Sequence, residues 1–182
     1  IQYGTSLFYP ANQMGSHVSA VPNHQTGNVT PIKFRFVIAC AGRLGMELQP
    51  KSMTDSEKEF AKRAIASYKE YRDIIMTGDL YRIGSPYDKA GAYGVLYVTP
   101  DKKRAVFFAY CISYDTRNSA PQFRLDGLSA DKNYRIAEVN VDKSSSWFSG
   151  KVLSGSMLMN KGLNPPLKKV YDSAVFVLES EE

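Results

Sequence analysis

The spacing of hydrophobic and polar positions changes once along this chain, near Gly78. Before that glycine, the apolar residues of segment 54–76 recur every three or four positions, the period of an amphipathic helix. They are Phe60, Ala61, Ala64, Ile65, Tyr68, Tyr71 and Ile75. After it, short apolar runs separated by turn residues predict β-strands. The pattern therefore predicts two domains, at residues 1–77 and 78–182.

The helix over 54–76 has a signal at each end. Thr54 and Glu57 have the spacing of a capping box, in which the hydroxyl accepts from the N3 amide and the carboxylate accepts from the N-cap amide. Gly78 follows the last turn, and we expect it to adopt the left-handed conformation that ends many helices. We interpret the tyrosines of the apolar stripe as core residues.

The first fifty residues predict alternating strands and helices. Residues 1–8 indicate the end of a helix, and residues 14–21 and 44–48 indicate short strands. Segment 31–41 fits two structures, because its apolar residues alternate as in a strand and also recur at helical spacing. Thr30 as N-cap, Pro31 at the first helical position and Gly42 beyond the end favour a helix, which is our prediction.

After Gly78, seven segments have strand character. They are 80–83, 93–99, 104–114, 122–125, 134–139, 151–159 and 174–178. Short strands at this spacing, with turns between them, predict an antiparallel β-sandwich. The predicted fold class is α+β, with βα units followed by a Greek-key sandwich.

A polar loop follows the first strand and marks the candidate site. Pro22 ends the strand, and Asn23, His24 and Gln25 come directly after it. Barrels of alternating strands and helices build their sites from such loops, at the carboxyl ends of the strands. These three residues are therefore substrate-proximal candidates, although His24 fits loop structure equally well. His17 lies in mid-strand, and we expect a buried histidine that supports the neighbouring loop.

Composition narrows the function classes. The net charge of +5 is modest, with 43% hydrophobic and 23% charged residues. Since basic residues form no stripe, nucleic-acid binding is not expected. No apolar run is long enough to span a bilayer. The two histidines lack a zinc-type spacing, so we predict no metal and no cofactor. Cys40 and Cys111 lie in apolar runs and are predicted to be buried free thiols.

The segment MGSHVSAVPNHQTG, residues 14–27, resembles glycoside hydrolase family 36 α-galactosidases. The flanks QYGTS at 2–6 and GRLG at 42–45 resemble that family too. The resemblance implies the last βα units of a (β/α)8 barrel followed by a C-terminal β-sandwich. It also implies a retaining hydrolase of terminal α-galactosides, with α-galactoside oligosaccharides as its partners. The two catalytic aspartates of that family lie on earlier barrel strands, so neither would be in this chain.

The positions of the acidic residues agree with the absence of the catalytic pair from this chain. Glycosidases require two carboxylates flanking the scissile bond, yet residues 1–46 contain neither Asp nor Glu. Glu47 is the first, and we predict for it a salt bridge with Arg43 or Lys51. The chain alone is thus expected to be inactive, and its exposed strand edges favour a homo-oligomer.

A second interpretation is a free-standing β-sandwich module that binds carbohydrate or a partner, with a helical N-terminal extension. Trp147 in a serine-rich segment could stack on a sugar ring, although packing beside Phe148 explains it more simply. Coding sequence for further barrel strands upstream of Ile1 would favour the enzyme. A start codon immediately before Ile1 would favour the module.

Overall fold

The computed structural model describes residues 1–113, 122–140 and 148–181. Its N-terminal part begins with a short helix, α1 (Gln2–Thr5), and continues as strand β1 (Gly15–Ser19), helix α2 (Ile32–Cys40) and strand β2 (Arg43–Glu47). β1 and β2 pair in parallel. These strands confirm the predictions for 14–21 and 44–48, and segment 31–41 is a helix as predicted.

The predicted start of α2 was wrong by one residue. Pro31 has an extended backbone and occupies the N-cap position, so that the helix begins at Ile32 and has no side-chain cap. Thr30 lies one residue too early for its hydroxyl to cap the helix. Its carbonyl instead accepts a hydrogen bond from Nε of Arg35, at 3.2 Å.

Helix α3 (Asp55–Thr77) begins with the predicted capping box. The Glu57 amide donates to Thr54 Oγ1 at 3.2 Å, and the Thr54 amide donates to Glu57 Oε2 at 3.0 Å. The predicted left-handed cap at Gly78 is wrong, because Gly78 is extended, with φ −82°. The chain turns directly into the next strand there. A Cβ on Gly78 would lie 2.5 Å from the Ile74 carbonyl oxygen and 2.8 Å from that of Val98, so close approach explains this glycine.

The C-terminal part is a six-stranded antiparallel sheet. Its members are β3 (Asp79–Ile83), β4 (Ala92–Val98), β5 (Arg104–Cys111), β6 (Asn133–Val139), β7 (Val152–Ser154) and β8 (Ser173–Ser180). The spatial order is β3-β4-β5-β8-β6-β7. A last helix, α4 (Gly155–Asn160), follows β7. The α+β class and the antiparallel β domain are as predicted.

Two predicted strands differ from the structure. Segment 122–125 contributes only the isolated bridge between Phe123 and Leu163. Segment 151–159 is a strand for three residues and then becomes α4, because Ser154 Oγ accepts from the Met157 amide and caps a helix. The predicted end of segment 104–114 lies outside the described residues.

Each face of the sheet is covered. On one side lie α2 and α3 with β1, and on the other lie α4 and the loops around Phe123, Leu128 and Leu167. The first of these cores draws residues from both predicted domains. Because the two parts share this core, the structure itself does not mark a division between them, and the boundary at 77/78 stays a prediction.

Tyrosine hydroxyls tie the sheet to the end of α2. Tyr97 of β4 donates to the Ala41 carbonyl at 2.8 Å, and Tyr68 of α3 donates to the Gly42 carbonyl at 2.8 Å. Tyr110 of β5 donates to a carbonyl one turn earlier, at 3.3 Å. These buried hydroxyls satisfy backbone carbonyls in the last turn of α2 and in the turn that follows it. The turn into β2 is thereby held by α3 and the sheet together.

Candidate functional site

Within the described part of the chain, one face of the β1–β2 pair is left exposed, and we call it the open face. Alternation along the strands places on it Gly15, His17, Ser19, Arg43, Gly45 and Glu47. The opposite face meets α2: Val18 is fully buried in the core there, and Ser16 Oγ donates to the Ile38 carbonyl at 3.4 Å. The open face therefore carries the polar chemistry of this unit.

His17 and Glu47 form a pair on the open face. Their atoms Nδ1 and Oε1 lie 2.9 Å apart, and the side chains are 46% and 61% exposed. The prediction that His17 is a buried core histidine is therefore wrong, because the strand turns it away from α2. The predicted partners of Glu47, Arg43 and Lys51, are replaced by His17, since the parallel register brings these two strands' side chains together.

A cleft of about 290 Å³ lies where β1 ends. Asn23, Gln25 and His17 line it, whereas His24 does not and is exposed to solvent. Three of the four sequence-predicted residues therefore meet at one cleft. Whether they contact a substrate stays a prediction.

Asn23 organises the loop that forms this cleft. Its Oδ1 accepts from the amides of Gln25 and Thr26, both at 3.0 Å, and from the Thr26 hydroxyl at 3.2 Å. Its own amide donates to the Asn28 carbonyl at 2.9 Å. Such side-chain bonds to the backbone two and three residues ahead are typical of asparagine turns. Asn23 therefore has a structural task besides any contact with a ligand.

Arg35 is the residue that the sequence analysis missed. From α2, its guanidinium donates to the Ser19 carbonyl at 2.8 Å, to the Thr30 carbonyl at 3.2 Å and to Glu57 Oε1 at 3.2 Å. The side chain is only 10% exposed, and burial lowers its pKa, with Glu57 opposing that shift. Arg35 thus joins both ends of the loop at 20–30 to the start of α3. An arginine between two phenylalanines on an apolar helix was the available signal.

Metal-binding chemistry has little support. Among the described residues, no group of three His, Cys, Asp or Glu side chains is placed to hold an ion. Cys40 and Cys111 are buried free thiols, as predicted, and burial raises the pKa of Cys40 to about 12. Trp147 lies outside the described residues. No helix in the described ranges is long and apolar enough to cross a membrane.

Two family profiles match this chain. Residues 1–78 match the profile described as melibiase, and residues 92–178 match the glycosyl hydrolase family 36 C-terminal domain. Probable alpha-galactosidase G of Aspergillus terreus is 37% identical over all 182 residues, which cover 23% of that relative. The bifunctional alpha-galactosidase/sucrose kinase AgaSK of Mediterraneibacter gnavus is 36% identical over 178 residues, covering 97% of this chain and 18% of that protein.

Solved structures agree with these matches. The galactosidase domain of AgaSK superposes with a TM-score of 0.87 at 34% identity, over 99% of this chain and 24% of that one. The GH36 alpha-galactosidase AgaA of Geobacillus stearothermophilus in complex with stachyose gives a TM-score of 0.87 at 32% identity, over 100% and 24% of the two chains. Another AgaA structure contains raffinose. The present chain thus spans less than a quarter of the length of these relatives.

Proposed function

Because this chain belongs to glycoside hydrolase family 36, we propose that it is the C-terminal part of an α-galactosidase. In that enzyme, β1, α2, β2 and α3 would be the last units of the catalytic barrel, and the six-stranded sheet would be its C-terminal domain. The proposed substrates are oligosaccharides with terminal α-galactosyl residues. AgaA binds two oligosaccharides, stachyose and raffinose.

One observation carries this proposal: the similarity runs through the whole chain, and includes both the βα unit and the sheet. It therefore favours the enzyme over a free-standing binding module, for which the N-terminal part would be an unrelated extension. In the barrel, α2 would face outwards, because barrel helices form an outer ring. The open face would then point to the interior, near the mouth at which the strands end.

The catalytic carboxylate pair would come from elsewhere in the enzyme. A retaining glycosidase needs two carboxyl groups about 5–5.5 Å apart. On the open face Glu47 is the sole carboxylate, and it is engaged by His17. The contribution of this segment would be to close the barrel and to complete the substrate pocket through Asn23, Gln25 and His17, whereas His24 does not line the cleft.

The test compares two proteins on a chromogenic α-galactoside. We expect the 182-residue chain alone to show no turnover above buffer, and the full-length enzyme containing it to hydrolyse the substrate with retention at the anomeric carbon. Chain purified from a host that lacks α-galactosidase serves as the control for contamination. Hydrolysis by the isolated chain, or a full-length enzyme inactive on every α-galactoside, would refute the proposal.

A further inference from the structure

Two glycines shape a hollow around His17 on the open face. Gly45 lies directly across from His17 in the β1–β2 register, and a Cβ on Gly45 would overlap the imidazole ring at Cδ2. A Cβ on Gly15 would lie 3.9 Å from Cε1 and Nε2 of the same ring. The ring therefore lies directly against the backbone of β2. Its position is set by the absence of a side chain at Gly45.

Glu47 determines which nitrogen of this ring carries the proton. An ionised carboxylate can only accept hydrogen bonds, so Nδ1, which lies 2.9 Å from Glu47 Oε1, must be the donor. In a neutral imidazole one nitrogen is a donor and the other an acceptor. In the neutral ring, Nε2 of His17 is therefore the nitrogen that carries the free lone pair and can act as an acceptor.

His17 lies where a ligand can reach it, rather than in the core. The side chain is 46% exposed and lines the cleft of about 290 Å³ together with Asn23 and Gln25. Sugar hydroxyls are hydrogen-bond donors, and an imidazole nitrogen held in one tautomer can accept from one of them without first rotating. Its partner Glu47 stands at the last residue of β2, at the end of the pair where β1 also ends.

We propose that Glu47 is a positioning residue that holds His17 as the Nδ1–H tautomer, and that Nε2 of His17 accepts a hydrogen bond from a hydroxyl of the sugar substrate. The identity of the ligand rests on the function proposed above, whereas the tautomer does not. This assigns His17 to substrate binding rather than to support from behind the site.

The tautomer is measurable in the 182-residue chain. Because the chain has two histidines, the His24→Gln variant leaves His17 as the sole imidazole in long-range ¹H–¹⁵N spectra. At a pH well above the range in which histidine titrates, we expect the Nδ1–H form. Glu47→Ala should shift the ring towards the Nε2–H form, which free imidazole side chains prefer. Glu59→Ala is the matched control, because Glu59 is also 61% exposed and pairs with Lys62, on a different element from His17. An Nε2–H form in the parent chain, or a tautomer unchanged by Glu47→Ala, would overturn the proposal.

Sugar contact is tested by kinetics in the full-length enzyme. His17→Asn keeps a donor near Nδ1 but has no group at Nε2, and we expect its KM to rise about 3- to 10-fold with kcat unchanged. His17→Gln reaches the position of Nε2 with an amide and should recover part of the loss. Glu59→Ala should behave as the parent enzyme.

Each result bears on a separate step of the inference. An unchanged KM in His17→Asn, with the Nδ1–H tautomer present, would refute the sugar contact and leave the proposed activity standing. A reduced melting temperature with unaltered KM would assign the pair to structure. If the full-length enzyme hydrolyses no α-galactoside, the proposed function and the sugar contact both fail, and the NMR result alone judges the His17–Glu47 pair.

Discussion

At the scale of single residues, Asn23 and His24 illustrate how neighbours in a candidate motif have different tasks. Asn23 is half-buried and its Oδ1 holds the turn of the loop, whereas His24 is exposed and makes no contact with the cleft. A substitution at each position therefore tests a different property. The turn of the loop depends on Oδ1 of Asn23. Any contact of Asn23, His24 and Gln25 with a substrate depends on their other polar groups.

Asn23→Ala should lower the melting temperature of the chain by roughly 2–4 °C, because it removes the acceptor of two backbone amides at a cost of about 1 kcal/mol. Asn23→Asp keeps that oxygen and should melt close to the parent. His24→Ala should melt like the parent as well. Differential scanning calorimetry measures all three, and an Asn23→Ala variant as stable as the parent would show that the turn does not need its side chain.

The sequence pattern predicted the strand that contains His17, but it did not predict the face of the sheet on which His17 lies. Alternation defines two faces and leaves open which of them is covered. Helix α2 determines the covered face, because it shares a core with Val18, and this packing is a tertiary property rather than a local one. The partner of Glu47 could not be predicted either, because it depends on the pairing of two strands whose partner residues are 28 positions apart in sequence, rather than on local charge neighbours. Local signals favoured Arg43 and Lys51 for that reason.

At the scale of elements, the junction of α2 and β2 depends on tyrosines supplied from outside it. Tyr97 is 2% exposed, and its hydroxyl bonds to the Ala41 carbonyl at the end of α2. A buried carbonyl deprived of its donor loses the hydrogen bond without regaining water. The stability of this turn is therefore coupled to the sheet more than to its own sequence.

Tyr97→Phe should destabilise the chain by about 1–3 kcal/mol, because it leaves that carbonyl without a donor while preserving the ring. Tyr9→Phe removes a hydroxyl from a side chain that is 60% exposed and should change stability by less than about 0.5 kcal/mol. Urea unfolding followed by circular dichroism compares them. Equal midpoints for the two variants would contradict the role assigned to the Tyr97 hydroxyl.

Elements with strong local signals were predicted well. Helix α3 has a capping box and a continuous apolar stripe, and its bounds agree with the prediction to within one residue at each end. The prediction of a single strand over 151–159 was wrong, because the apolar residues of a three-residue strand and those of α4 form a single run in the sequence. The signal for the change was Ser154, a helix N-cap followed by Gly155.

At the scale of the whole molecule, the β1–β2 pair is the least enclosed part. In the described ranges each of these strands is paired on one side only. The apolar stripe of α3 is covered by the sheet, but the two strand edges and the open face are not. Unpaired edges are templates for association with another chain. We therefore still expect the isolated chain to self-associate.

Sedimentation velocity at tens of micromolar (roughly, above ordinary weak dissociation constants) should detect dimers or larger species. Met46→Lys adds a charge to the edge strand β2 and should weaken this association. Met157→Lys on α4 is the control, because Met157 is 43% exposed and Met46 is 40% exposed. A strict monomer over the concentration range, or equal effects of the two variants, would contradict association through the strand edges.

The core that crosses the predicted boundary at 77/78 has an evolutionary consequence. Recombination that exchanged the sheet between two members of this family would also exchange Tyr97 and Tyr110, whose hydroxyls bond to carbonyls of the preceding βα unit. These carbonyls belong to the backbone, so the donor-acceptor match itself survives any sequence in that unit. The position of the two helices must be kept, and it depends on the apolar residues that pack α2 and α3 against the sheet. Those residues must therefore be inherited together with the sheet. The two segments should therefore evolve as one linked unit, with compensating substitutions at the seam.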